Sequence, residues 1–108
     1  GALAQGVGAA LYEEYVYNDE GQPLVTTFVD YLIPTIHEVP MATKDFIVTP
    51  SPVAPLGAKG CGEGAIHTTP AALLCAINDA LAPLGVEITE TPASPHRLWK
   101  VLQQAAGR

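Results

Sequence analysis

The sequence predicts an α+β fold with helices packed on short strands, and three observations carry that expectation. Two helix-start signals, Thr69 followed by Pro70 and Ser94 followed by Pro95, each open a run of apolar residues at helical spacing. Two short stretches rich in β-branched or aromatic residues, at 24–31 and 86–89, lie between turn signals and read as strands. Helices and strands do not alternate cleanly, which makes the class α+β.

Taken in order, residues 2–16 place Leu3, Val7, Ala10 and Leu11 on one stripe and predict a first helix. Gly6 and Gly8 each lower intrinsic helicity by about 1 kcal/mol relative to Ala, so they imply close approach to that backbone by another helix or by a ligand. Asn18, Asp19, Glu20 and Gly21 are turn chemistry and predict a hairpin arm or turn leading into a strand over residues 24–31. Pro34, Pro40, Pro50, Pro52 and Pro55 then remove amide donors, and regular structure is expected only around Phe46, Ile47 and Val48. From the Thr69 cap, Leu73, Leu74, Ile77, Leu81 and Leu84 form an apolar helical face that Pro83 and Gly85 close. Cys75 is expected on that helix as a small buried residue. A short strand over 86–89 precedes a last helix with Leu98, Val101, Leu102 and Ala105 on its buried side.

The 108 residues are one domain's worth, at the small end where a core is marginal. A 48% hydrophobic fraction with only 15% charged residues suits a segment that packs against more protein. The absence of an initiator methionine, with helical patterning from the first residues, leads to the same expectation of an internal piece. A net charge of -6 with five scattered Lys and Arg cannot neutralise a row of phosphates, so nucleic acid is not an expected partner. No apolar run approaches the ~20 residues that span a bilayer, and no signal-peptide pattern opens the chain. Two cysteines are too few for a disulfide scaffold and suggest a reducing, cytoplasmic compartment. Cys61, His67 and Cys75 could suggest zinc, but their spacing is not a usual zinc pattern, and His37, His67 and His96 read as surface or locally bonded side chains.

The most informative stretch is Gly57, Ala58, Lys59, Gly60, Cys61, Gly62, Glu63, Gly64, where one carboxylate stands among four glycines. Such a loop can fold tightly and expose its amides and its single acid to a bulky ligand, which makes Glu63 a candidate general base. The same pattern also describes a surface turn with a merely solvated Glu63. Nucleotide readings fail on the residues present: the three-glycine dinucleotide fingerprint is missing, and Lys59 is followed by Gly60 where a phosphate loop needs Ser or Thr.

The order of segments is more specific. Gln5, Gly6, Val7, Gly8 with Ala10, Leu11, Tyr12, Glu13, Glu14, then Asp30, Tyr31, Leu32, Ile33, Pro34, Thr35, then the glycine and glutamate loop and a helix around Ala76, Ile77, Asn78, Asp79 and Ala80, resembles the molybdenum hydroxylases. These are the family of xanthine dehydrogenase, aldehyde oxidase and aerobic carbon monoxide dehydrogenase. The resemblance runs from Gln5 to about Leu102 and identifies residues 1–108 with the C-terminal portion of the molybdopterin-binding domain of the large subunit.

The resemblance implies oxidation of a small carbon substrate, an aldehyde, purine, N-heterocycle or carbon monoxide, with oxygen derived from water. It makes Glu63 the base for that oxygen's proton, with desolvation by apolar groups as the expected tuning force. It places Gln5, Lys59, Gly60, Cys61 and Gly62 by the cofactor; Lys59 reads equally as a solvated or structural lysine. Cys61 stands where the family often has an aliphatic residue such as valine. The implied cofactor is molybdopterin cytosine dinucleotide with molybdenum. The implied partners are the remainder of the large subunit, an Fe-S small subunit and an FAD-binding medium subunit. A rival expectation is a non-catalytic interaction or structural module that keeps the fold without the cofactor.

Overall fold

The computed structural model describes residues 1–107. Its regular elements are helical: α1 spans Ala2–Leu11, α2 spans Thr69–Leu81, α3 spans Pro95–Ala106, and single 3-10 turns occupy Pro55–Gly57 and Ala82–Leu84. The expected strands are not formed, and the one β feature among the described residues is an antiparallel bridge between Tyr17 and Pro23. The α+β expectation therefore fails on its β half.

Local hydrogen bonding explains why. The predicted turn does form: Asn18 Oδ1 accepts from the amides of Glu20 and Gln22, Gly21 takes φ +78°, and the Leu24 amide reaches Val16 O at 2.8 Å. The pairing then stops, because the Thr27 hydroxyl accepts from the Val29 amide and the Thr27 carbonyl accepts from the amides of Asp30 and Tyr31. A side chain that offers the backbone a local partner competes with a ladder. Residues 86–89 have no regular structure, and the partner of Ile88 is a side chain: Asn78 donates to Ile88 O at 2.9 Å and accepts from Ile88 N at 2.8 Å.

The helices follow the sequence more closely. α1 is shorter than predicted, ending at Leu11 where the amides of Tyr12 and Glu13 both turn onto Gly8 O. In α2 the boundary moves by one residue: Thr68 is the cap, and Thr69 lies inside, its hydroxyl donating to Ala65 O at 2.7 Å. Gly85 takes the left-handed conformation, φ +65°, that ends the following turn. α3 starts as expected, with Ser94 accepting from the Arg97 amide.

The core gathers where these elements meet. Leu81, Ile88 and Ala93 are buried, with Leu11, Leu74, Ile77, Val86, Leu98 and Val101 packed against them. Burial of a Leu or Ile side chain contributes roughly 1.5–3 kcal/mol, so this cluster is what ties α1, α2 and α3 together. Ala10 and Ala93 are fully buried and joined by a backbone hydrogen bond of 2.6 Å. Arg97 extends the joint by pairing with Glu14 and donating to Thr91 O at 3.2 Å. Leu84, Leu102 and Cys75 are exposed, contrary to the pattern reading. For Cys75 the reason is angular: it lies about 100° around the helix from Leu74, on the face shared with Ala71, Ala72 and Ala76.

The middle of the chain is different. Residues 41–50 have no regular structure, and Phe46, Ile47 and Val48 are each at least 80% exposed. The radius of gyration is 17.7 Å, against the ~13 Å of a compact chain of this length. An arm thus projects from a helical base.

Candidate functional site

The first predicted site residue, Gln5, sits on α1 and is exposed, while Gly6, Val7 and Gly8 beside it are buried. The glycines are explained by protein neighbours. A Cβ on Gly6 would run into Thr69, lying 2.8 Å from Thr69 Cγ2, and one on Gly8 would collide with the Glu13 carboxylate and lie 2.9 Å from Pro34 Cδ. At Gly6 the neighbour belongs to another helix, α2, one of the two approaches left open by the sequence; at Gly8 it is Glu13 and Pro34, which lie outside the helices. Gln5 borders a hollow of about 320 Å³ with Ala4, Glu13, Ile33 and Pro34. The Tyr31 hydroxyl donates to Glu13 Oε2 at 2.7 Å, so the second motif of the sequence is tied directly to the first.

The glycine loop is reached through a closed bend. Ser51 N donates to Gly57 O at 3.0 Å, Ser51 Oγ accepts from the Ala54 amide, and Gly57 adopts φ +68° with its missing Cβ 2.8 Å from Pro50 Cβ. Leu56 also has positive φ, 58°, a conformation that costs a residue with a Cβ roughly 1–2 kcal/mol. Lys59 Nζ donates to Thr49 Oγ1 at 3.0 Å, closing the bend from outside. An ammonium has three donors, so this tie leaves Lys59 further bonding capacity.

Beyond Lys59, Gly60, Cys61, Gly62, Glu63 and Gly64 are all exposed. A Cβ at Gly60 or Gly62 would meet nothing within 4 Å, so one side of the loop is open to a ligand. From Glu63 onward the chain winds into α2: Glu63 O accepts from the Ile66 amide at 3.1 Å and lies 3.3 Å from His67 Nδ1, while Ala65 O accepts from both the amide and the hydroxyl of Thr69. Thr69 in turn fills the space over Gly6. The structure therefore links the glutamate loop to the Gln5 segment through the packing of α1 on α2, where Thr69 meets Gly6.

Glu63 is exposed and makes no ion pair among the described residues. Cys61 and Cys75 are both free and exposed, and among the described residues no three His, Cys, Asp or Glu side chains gather as a metal site. Glu13 and Tyr31, named in the motifs, and Thr69, read as a helix start, carry contacts that the sequence did not assign to them: Glu13 and Thr69 fill the space over Gly8 and Gly6, and Tyr31 bonds to Glu13.

The family model for the molybdopterin cofactor-binding domain matches residues 1–40. The 6-hydroxypseudooxynicotine dehydrogenase complex subunit gamma of Paenarthrobacter nicotinovorans is 44% identical over 106 residues, covering 95% of this chain and 13% of that protein. The carbon monoxide dehydrogenase large chain of Afipia carboxidovorans is 38% identical over 104 residues, 96% of this chain and 13% of that one. Among solved structures, quinoline 2-oxidoreductase from Pseudomonas putida 86 superposes with a TM-score of 0.90 at 46% identity, over 96% of this chain and 13% of that chain. The chain thus spans about 13% of the length of the relatives it matches. By these matches the chain belongs to the molybdenum hydroxylase family, as a segment of its molybdopterin-binding subunit.

Proposed function

We propose that residues 1–108 are the C-terminal portion of the molybdopterin-binding domain of a large subunit, and that Glu63 acts there as the base in oxidation of a small carbon substrate. The observation that carries this reading is the loop geometry: a single carboxylate, open space at Gly60 and Gly62, and a continuous path through Thr69 to the segment that matches the cofactor-binding family.

The residues present suit one wall of a molybdenum-pterin group. Gln5 offers an exposed amide that both donates and accepts, and Gly60, Cys61 and Gly62 offer backbone amides on the open side of the loop. Lys59 adds a cation whose bond to Thr49 fixes the approach to that wall. When bound, molybdopterin, in its cytosine dinucleotide form, supplies the two-electron acceptor for the oxidation. Glu63 takes the proton of the water-derived oxygen, and its flanking glycines allow the carboxylate close access to that proton.

The same reading assigns the arm a partner. Its apolar side chains pack on the remainder of the large subunit, which accounts for their exposure in this segment. Small and medium partner subunits would hold the Fe-S clusters and FAD that supply the onward path for electrons, in an assembly assigned to the cytoplasm. The substrate class is an aldehyde, purine, N-heterocycle or carbon monoxide.

The test is Glu63→Gln in the intact assembly. Turnover is expected to fall by ~10² to 10⁴, the usual worth of a general base, with molybdenum content retained. Unchanged turnover would remove Glu63 from the mechanism and favour the non-catalytic module.

A further inference from the structure

We propose that the Glu13 to Tyr31 hydrogen bond is a clasp that positions the Gln5 wall, holding the segment of Ile33 and Pro34 against the glycine face of α1. The proposal rests on the reading above that Gln5 borders the cofactor, and it gives a role to three residues to which that reading assigns none: Gly8, Glu13 and Tyr31.

The geometry works from the backbone outward. The amides of Tyr12 and Glu13 both donate to Gly8 O, at 2.9 and 2.8 Å, which ends α1 and turns the Glu13 side chain back over Gly8. Only the absence of a Cβ at Gly8 leaves room for the Glu13 carboxylate and Pro34 together. One carboxylate oxygen then lies against Gly8 and the other accepts from Tyr31 at 2.7 Å. Tyr31 is held from its other side by Tyr15, the ring centroids 5.3 Å apart. Ile33 and Pro34, two and three residues past Tyr31, complete the hollow whose remaining wall is Ala4, Gln5 and Glu13. Released from Glu13, that segment keeps few anchors, since Leu32 and Ile33 are exposed. The hydrogen bond to Glu13, followed by desolvation, also holds the Tyr31 phenol above the usual tyrosine range, consistent with a bond made to its neutral form.

The test uses the complete enzyme and compares Tyr31→Phe, Glu13→Ala and Glu13→Gln. Loss of one hydrogen bond should raise amide hydrogen exchange across residues 31–38 by about two- to tenfold while exchange in α2 stays unchanged. Catalysis should follow as a fall in kcat of similar size with KM nearly constant, and Glu13→Gln, whose amide oxygen still accepts from Tyr31, should restore both. Unchanged exchange or unchanged kcat in Tyr31→Phe and Glu13→Ala would overturn the clasp, as would failure of Glu13→Gln to improve on Glu13→Ala. Gln5→Ala tests the underlying reading separately, through molybdenum content. If that variant binds cofactor normally, the reading of Gln5 is at fault, and the exchange data still report on the clasp.

Discussion

The helical base and the arm spend their apolar residues in opposite ways. In the base, Leu81, Ile88 and Ala93 lie inside a cluster drawn from all three helices and the segment 86–93. In the arm, Phe46, Ile47, Val48 and Val53 have comparable chemistry and almost no protein around them. The difference is one of partners. The base buries this cluster by contacts within the chain, whereas residues 41–50 have neither a helix nor a ladder with which to bury their own side chains. Hydrophobic sequence therefore reports the need for burial but not where the burial takes place, and the glutamate loop lies at the boundary between the two regimes.

That contrast can be broken by substitution. In the assembled enzyme, Phe46→Ala should cost about 3–5 kcal/mol, the penalty of emptying a packed aromatic site, if the arm is covered by the rest of the subunit. A change within about 0.5 kcal/mol in thermal or denaturant unfolding would mean that Phe46 stays in solvent. Within the base, Gly6→Ala drives a Cβ into Thr69 and should cost about 1–3 kcal/mol. Thr69→Gly in the same chain should recover much of that loss, and an additive double-mutant cycle would show that the two positions do not meet.

The smallest effect belongs to the local turn from Thr35 to Glu38. The Thr35 hydroxyl, and then its amide, donate to Glu38 and hold the carboxyl below the usual glutamate range. Because the folded-state value is depressed, the turn's contribution is fully present above about pH 4.3 and is lost as pH falls through the lowered value. Proton-detected titration of Glu38 should show this. Thr35→Val should bring the carboxyl back toward its ordinary range, and no change on that substitution would dissociate the shift from the hydroxyl.

Legibility in the sequence followed the range of the interactions. The starts at Ser94 and Pro95, the close at Gly85 and the turn at Asn18 were readable because each is settled by bonds within a few residues. The strands failed for the opposite reason. Residues 24–31 had suitable composition, but Thr27 supplied a nearer partner, and at 86–89 the partner was Asn78, ten residues from Ile88 on a helix face otherwise read as apolar. The candidate site divides in the same way: the openness of Gly60 and Gly62 was implied by composition, while the occupants of the space over Gly6 and Gly8 were not.

The order of residues alone determined the helix signals, the lone acid among glycines and the family likeness, since these depend on which side chains stand near one another in the chain. Tertiary structure decided that Thr69 fills the gap over Gly6, that Tyr31 reaches Glu13, and that the extended arm remains uncovered. Those outcomes depend on contacts between distant residues, whose loop-closure cost is met only when a complementary surface is available to receive them.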